Sequence, residues 1–447
     1  MQVNCVLTTG LEFTMASLEG LSIFERGTFP RWVKVRQRLD DTDVGDIAGA
    51  IAAEFAKPGI GETISPGMSV ALTAGSRGIH AIDQIVKACA GEVRKRGATP
   101  FIVPAMGSHG GATVEGQLSI LEHYGITERA MGCEIRASME TVHLGFVEET
   151  VPVYFDHIAH EQADAVIPIG RVKPHTDFVG PVESGLMKMI AIGLGKQKGA
   201  EYFHARGFGH FDHLIPAVAT FTLGKVNIPF GIVTVENGYS HCSLLEAVPA
   251  AQIWDREQAL LAIARERLDR LPGTELDVLI VDEIGKDVSG DGADPNVINR
   301  DVVGIVDREA LGFKPTIQRI IFRDLTPDTE GNATGVGMAE VVLRQLVDKI
   351  DPVKTYMNMI TAKGPEGARI PMTMDSDRQA LYIALACCLD TEVESARIAR
   401  IRSTKYVEDL WVSEPFLEQV LSSGRVEVVN EPGPILFDSN GMFAEGW

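Results

Sequence analysis

The stretch that decides the fold is MSVALTAGSRGIHAIDQIVKACAGEVRKRGATPFIV, residues 68–103. It starts with a short apolar run at residues 68–73 and ends with a second one at residues 101–103. Between the two runs, apolar residues recur at helical spacing while charged residues occupy the other face. The apolar positions are Ile82, Ile85, Val86, Cys89 and Val93. Strand, amphipathic helix and strand in this order predict a mostly parallel sheet that is covered on both faces.

The same alternation continues along the chain, with strand-like runs at residues 165–169, 231–235 and 278–281. A second amphipathic stretch at residues 255–271 ends at Pro272 and Gly273. The chain has 447 residues, which exceeds the size at which one hydrophobic core stops growing. We therefore predict an α/β protein of two domains, residues 1–270 and 271–447, with mostly parallel sheets and an active-site cleft between the domains.

Charge and composition limit the class of partner. The formal net charge of −20 argues against nucleic acid or an anionic membrane as the main partner. No apolar run reaches the ~18 residues of a membrane span, and the first residues lead us to expect no signal peptide. The six cysteines form no CxxC pair, which is typical of reduced thiols. We expect a cytoplasmic protein, and the sequence does not indicate its oligomeric state.

Ligands of such folds bind beyond the carboxyl ends of the strands. Four segments after predicted strands are rich in glycine and in residues that carry chemistry: residues 73–78, 106–113, 170–204 and 289–300. The candidate residues in the first three are Arg77, His109, His175, Lys188 and His204. Each also has an ordinary structural interpretation, such as a surface arginine, a solvated loop histidine or a lysine that extends to solvent.

Taken together, these residue types suit chemistry at the α-carbon of a 2-hydroxy acid. A guanidinium binds the two oxygens of a carboxylate at once. A histidine titrates near neutral pH and can remove the hydroxyl proton, and inversion of the carbon needs a second base on the opposite face. Arg77 fits the first task, and His109 and His175 fit the second.

These segments resemble the nickel-dependent lactate racemase family of 2-hydroxy-acid racemases and epimerases. That family has a lysine in a Ser-Gly-x-x-Lys stretch after a Pro-His pair, and a histidine 16 residues beyond the lysine. Here Ser184-Gly185-Leu186-Met187-Lys188 follows Pro174-His175, and His204 follows Lys188 by 16 residues. The resemblance extends over residues 68–204 and 278–300, and includes residues 322–326 and 331–335.

The resemblance implies a nickel pincer nucleotide, a modified pyridinium mononucleotide that is bound covalently to Lys188 and whose nickel is ligated by His204. A soft carbon–sulfur pincer with one imidazole suits square-planar nickel. The resemblance also implies that His109 and His175 are the two acid/base residues, while the α-hydrogen leaves as hydride to the cofactor. Separate maturation enzymes make this cofactor.

Several positions depart from the family pattern, and most of them surround the substrate. Ala74 stands where lactate racemases have an aspartate, and Gly110 stands where they have an arginine. Asn299, with Arg300 or a neighbour, replaces a glutamine and a lysine that bind substrate. These changes favour a larger or more hydroxylated acid over lactate.

Two other functions stay open. The first alternative is an oxidoreductase or dehydratase of the same acids. The second is a nickel- or nucleotide-binding protein without turnover.

Overall fold

The structure, a computed structural model, describes residues 27–447 with the exception of residues 77, 269 and 305. The strands, numbered in chain order, are β1 (Trp32–Gln37), β2 (Ser69–Ala74), β3 (Thr99–Pro104), β4 (Thr141–Val147), β5 (Val151–Asp156), β6 (Ala165–Ile167), β7 (Ile169–Arg171), β8 (Phe230–Glu236), β9 (Cys242–Pro249), β10 (Glu275–Ile284), β11 (Thr316–Leu325), β12 (Val341–Leu343), β13 (Met372–Met374), β14 (Ile398–Ile401), β15 (Asp409–Ser413) and β16 (Val426–Val428).

The α-helices are α1 (Ile47–Phe55), α2 (Ile82–Lys95), α3 (Val114–His123), α4 (Glu128–Met131), α5 (His157–Gln162), α6 (Leu186–Lys188), α7 (Lys196–Arg206), α8 (Phe211–Leu223), α9 (Ile253–Arg267), α10 (Pro295–Ile298), α11 (Arg344–Val347), α12 (Pro352–Ala362), α13 (Asp377–Ala386) and α14 (Glu414–Leu421). A π-helical turn, Met189–Gly193, directly follows α6.

Two three-stranded sheets meet at a proline in the first part of the chain. One has the order β3-β2-β6 with parallel pairs, and the other pairs β7 in parallel with β8 and β8 antiparallel with β9. Pro168 separates β6 from β7 and cannot donate a backbone hydrogen bond. The run at residues 165–169 therefore forms two short strands. A separate antiparallel hairpin joins β4 to β5.

Eight strands form the sheet of the second part, in the order β13-β12-β11-β10-β14-β15-β1-β16. Pairing is parallel from β13 to β14 and antiparallel from β14 to β16. β10 lies inside this sheet, which explains its continuous apolar sequence. The strand β1 comes from the beginning of the described chain and completes this later sheet.

The helix predicted from residues 68–103 is α2. Its five predicted apolar positions are at most 4% exposed, and they pack with β2 and β3 in one core. The other face of β2 and β3 contributes to a second core with α6 to α9. Helices therefore cover both faces of the sheet, as the sequence predicts.

The α/β class with mostly parallel sheets is confirmed, with antiparallel pairs at the sheet edges. The division near residue 270 and the cleft between domains stay predictions. No helix in the described part of the chain combines the length and apolar character needed to cross a membrane.

Buried charges connect three neighbouring strands of the large sheet. Asp282 on β10 accepts hydrogen bonds from Arg400 on β14 at 2.9 and 2.8 Å, and lies 3.0 Å from Arg323 on β11. The side chains of Asp282 and Arg400 are 8% and 4% exposed. The indole of Trp447 also donates to Asp282, at 2.7 Å. Removing this carboxylate leaves buried guanidinium groups with too few acceptors.

We expect Asp282→Ala to lower the free energy of unfolding by about 3–5 kcal/mol, because it breaks a buried ion pair by removing one partner. Urea denaturation followed by circular dichroism measures this change. The matched control is Asp409→Ala, which removes a 28% exposed carboxylate from its pair with Arg36. That control should cost about 1 kcal/mol or less. Equal losses in the two variants would contradict the structural role of Asp282.

Candidate functional site

Buried charges hold the main chain of His175 from both sides. The His175 amide donates to Glu183 Oε2 at 2.5 Å, and Glu183 is also paired with Arg265 at 2.5 Å. The His175 carbonyl accepts from Arg308 at 3.4 Å and from Asn296 at 3.3 Å. Glu183 and Arg308 are 1% and 2% exposed. The loop after β7 is therefore fixed to the segment after β10.

The ring of His175 lies against Phe178 and Asp177. Its Nδ1 atom is 3.0 Å from the Asp177 amide and 3.5 Å from Asp177 Oδ2. The Phe178 ring centroid is 4.5 Å from that of the imidazole. Burial raises the pKa of Asp177 to about 7, and the charge of Asp291 acts in the same direction. Asp177 was not among the residues selected from the sequence, although it follows His175 by two positions.

Lys188 ends α6 at the point where the backbone changes from an α- to a π-helical turn. Its Nζ atom lies 5.9 Å from the centroid of Phe178, so the lysine faces the same aromatic ring as His175. The amide of Leu194 closes the π turn on the carbonyl of Met189 at 2.9 Å. Such turns are rare and are frequent at functional sites.

His204 on α7 lies close enough to Lys188 for the charge of the lysine to affect the pKa of the histidine. Burial lowers the pKa of His204, and the positive charge of Lys188 lowers it further. The imidazole is therefore neutral at pH 7, the form that binds metals. Its ring packs against Phe208 and Phe211, at centroid distances of 5.5 and 5.6 Å. The structure thus brings His175, Lys188 and His204 together around Phe178 and Phe208.

A buried carboxylate lies at the start of the helix that carries Lys188. Glu257 Oε2 on α9 accepts from the amide of Met187 at 3.1 Å. A Cβ atom at Gly185 would lie 2.5 Å from the Glu257 carboxyl, so a side chain at this position would displace that carboxyl. Burial raises the pKa of Glu257 to about 7. The Ser-Gly-x-x-Lys stretch is thus fixed by a residue far away in sequence.

The loop that carries His109 packs on the π-helical turn. The amide of Gly107 donates to the Gly193 carbonyl at 3.2 Å. His109 Nδ1 shares a hydrogen bond with the Ser76 hydroxyl, which connects the loops after β2 and β3. Gln117 on α3 donates to the carbonyls of Gly107 and His109 at 3.2 and 3.4 Å.

A buried lysine supports the same loop. Lys196 and Asp156 form an ion pair of 3.0 Å in which both side chains are fully buried. Lys196 also donates to the Pro104 carbonyl at 2.7 Å and to Gln117 Oε1 at 3.3 Å. No sequence pattern distinguishes this lysine from its exposed neighbour Lys198. Its contacts make it a structural residue.

The described residues among those predicted to bind substrate do not join the cluster of His175, Lys188 and His204. Arg77 lies outside the described residues. Asn299 donates to the Pro315 carbonyl at 2.7 Å, and Arg300 donates to the Ile317 carbonyl at 2.5 Å. Both side chains thus contact the start of β11 and are not brought into the cluster around Phe178. Their role in substrate binding stays a prediction.

The position of Gly110 excludes any side chain. Its φ is +70°, and a Cβ atom would lie 2.6 Å from the carbonyl carbon of Gly116. An arginine at this position, as in the family pattern, does not fit this backbone. Ala74 is fully buried at the end of β2.

A cavity of about 500 Å³ adjoins the beginning of the loop after β7. Basic side chains of Arg171, Lys173, Arg402 and Lys405 line it together with acidic and aromatic residues. None of His109, His175, Lys188 and His204 lines this cavity. Within the described ranges, no three His, Cys, Asp or Glu side chains converge in a way that could hold a metal ion.

We expect the stability of the protein to fall as pH rises from about 4.5 to about 7, in part because of Glu257. The folded state binds the proton of this carboxyl more tightly than the unfolded state, so its contribution is complete below pH 4.5 and is lost as pH rises through 7. Glu257→Gln should reduce that loss by on the order of 3 kcal/mol. Urea unfolding at pH 5 and pH 8 measures it.

The control for this experiment is Glu266→Gln, which changes an exposed carboxylate on the same helix. It should leave the difference in stability between the two pH values unchanged. A difference that is the same in Glu257→Gln and in the wild type would contradict the burial of a protonated Glu257.

Comparisons with known proteins support the fold and give no family. No family model matches the sequence, and no curated protein matches it. A Thermotoga maritima protein is 14% identical and covers 53% of this chain, which spans only 62% of that protein; its TM-score of 0.37 is too low to indicate a shared fold. The lactate racemase apoprotein from Thermoanaerobacterium thermosaccharolyticum is 12% identical, with a TM-score of 0.51 over 84% of this chain and 99% of that one. The chain therefore has a fold similar to that of lactate racemase, while membership of that family is not confirmed by sequence.

Proposed function

We propose that the protein is a racemase or epimerase of a 2-hydroxy acid that uses a nickel pincer nucleotide attached to Lys188. The observation that carries the proposal is that Lys188 and His175 lie against one ring, Phe178, while His175 and His204 lie against a second ring, Phe208. The similarity to the fold of lactate racemase supports it.

The residues around Lys188 fit such a cofactor. Lys188 supplies the amine for covalent attachment, and His204 supplies one neutral imidazole. In this proposal the bound nucleotide would supply the remaining donors to the metal. When bound, the nucleotide supplies a hydride acceptor next to the substrate. The buried aromatic rings of Phe178 and Phe208 both contact His175 and give this region an apolar wall.

The chain itself contributes proton transfer and orientation. In this proposal His175 and His109 act on opposite faces of the α-carbon, each as base for one enantiomer and as acid for the other. Both sit on loops whose main chains are held by hydrogen bonds, which suits residues that must keep a fixed distance to the substrate. Arg77 is proposed to bind the carboxylate.

The substrate is proposed to be larger or more hydroxylated than lactate. Gly110 leaves no room for the arginine of the family pattern, and Ala74 removes an acidic group. In this proposal, polar groups of the acid take the place of the two charged side chains that these positions lack.

The attachment site is tested by intact mass. After production together with the cofactor-maturation enzymes, the wild type should carry the mass of the nucleotide, and Lys188→Ala should lose it. Lys198→Ala is the control, because Lys198 is exposed on the following helix and should leave the adduct in place. An adduct that persists in Lys188→Ala would place the cofactor elsewhere.

The two bases are tested with α-deuterated (R)- and (S)-acids, supplied separately to the loaded protein. His109→Ala and His175→Ala should each slow interconversion by about 10²- to 10⁴-fold, because a general base contributes that much. Each variant should retain loss of deuterium from only one enantiomer. The control is His213→Ala, which removes a 61% exposed side chain that pairs with Glu148.

Variants that treat both enantiomers alike would exclude the two-base arrangement. A fully loaded wild type that interconverts no acid in a broad panel would exclude the racemase, and would favour a binding protein. Release of a 2-keto acid instead would favour an oxidoreductase.

A further inference from the structure

Two groups of one residue compete for the same nitrogen of His175. The main-chain amide of Asp177 lies 3.0 Å from Nδ1, and it donates to that nitrogen when the ring proton is on Nε2. The carboxylate Oδ2 of Asp177 lies 3.5 Å from Nδ1, and it can accept a proton held there. Residue 177 therefore offers Nδ1 both a donor and an acceptor.

The two arrangements are not equivalent for proton transfer. A neutral imidazole has one protonated nitrogen and one that accepts. If Nδ1 accepts the hydrogen bond from the Asp177 amide, Nε2 carries the ring proton. In that form Nε2 cannot remove a proton from a substrate. If Nδ1 donates to the carboxylate, Nε2 is left as the acceptor.

We propose that Asp177 is a positioning residue whose ionised carboxylate holds the His175 proton on Nδ1 and leaves Nε2 as the base. The position of the His175 proton is independent of the proposed function. Only the source of the proton that Nε2 receives rests on that function. That proton comes from the substrate hydroxyl and stays on His175, while the Nδ1 proton remains hydrogen-bonded to Asp177. A hydrogen bond to a carboxylate is about twice as strong as one between neutral groups, so the ionised side chain prevails over the amide.

The surroundings of Asp177 make its ionisation sensitive to pH near neutrality. Thr176 donates a hydrogen bond to Oδ2 at 2.9 Å, and Lys188 favours the charged form. Burial and the charges of Asp291 and Asp301 oppose it, and they raise the pKa to about 7. On the other side, the imidazole of His175 packs against the rings of Phe178 and Phe208. The buried Arg308 lies beyond the carbonyls of His175 and Thr176.

Nitrogen NMR of the full chain, labelled with 15N only in histidine, tests the inference without cofactor or substrate. The chain has 11 histidines, and His175→Gln identifies the signals of His175. In the wild type, the share of neutral His175 with its proton on Nδ1 should rise as pH increases through about 7. In Asp177→Asn that share should fall several-fold, and the pKa of His175 should fall by about 1, because a nearby negative charge is lost.

Asp43→Asn is the matched control, since Asp43 forms an exposed pair of 3.4 Å with His241. It should alter the signals of His241 and leave those of His175 unchanged. The proposal is overturned if neutral His175 in the wild type keeps its proton on Nε2 at every pH, or if Asp177→Asn changes neither the tautomer nor the pKa of His175. The wild-type titration decides the question even if Asp177→Asn fails to fold. Failure of the racemase proposal would leave these signals unaffected, so the two outcomes are separable.

Discussion

The position of His175 depends on two buried charges of opposite sign, Glu183 and Arg308. Glu183 accepts from the amides of His175 and Gly180, and Arg308 donates to the carbonyls of His175 and Thr176. A buried charge is stable only when it is paired or fully hydrogen-bonded. The loop after β7 supplies that hydrogen bonding, so its conformation cannot change without leaving a charge unsatisfied. The same requirement connects this loop to the segment after β10, where Arg308 lies.

Around this fixed loop, burial shifts the pKa values of several titratable side chains so that their neutral forms are favoured. Burial raises the pKa of Asp177 and of Glu257, and lowers the pKa of His204. Each of these groups is thus shifted toward its neutral form. Groups that titrate near neutral pH suit a site in which a proton moves to or from a histidine, as the proposed function requires.

The sequence was sufficient to predict the α/β class, the helix α2 and the strands around it, because their apolar positions repeat at regular spacing. It also selected His175, Lys188 and His204 as candidates from one segment, and their role stays a prediction. It did not identify Glu257 or Arg308, because each contacts the site from an element distant in sequence. Nothing in the sequence of α9 distinguishes the buried Glu257 from the exposed Glu266. The participation of β1 in the later sheet could not be predicted either, since strand pairing over such a distance has no local signal.

The π-helical turn between Lys188 and α7 limits how the length of this segment can vary. One residue corresponds to about 100° of helical rotation. A deletion that converted Met189–Gly193 to an α-helical turn would rotate the Gly193 carbonyl away from the Gly107 amide that it contacts. The loop of His109 would then lose this hydrogen bond, and the direction of the Lys188 side chain relative to α7 would change. An insertion or deletion in this turn therefore uncouples the two loops.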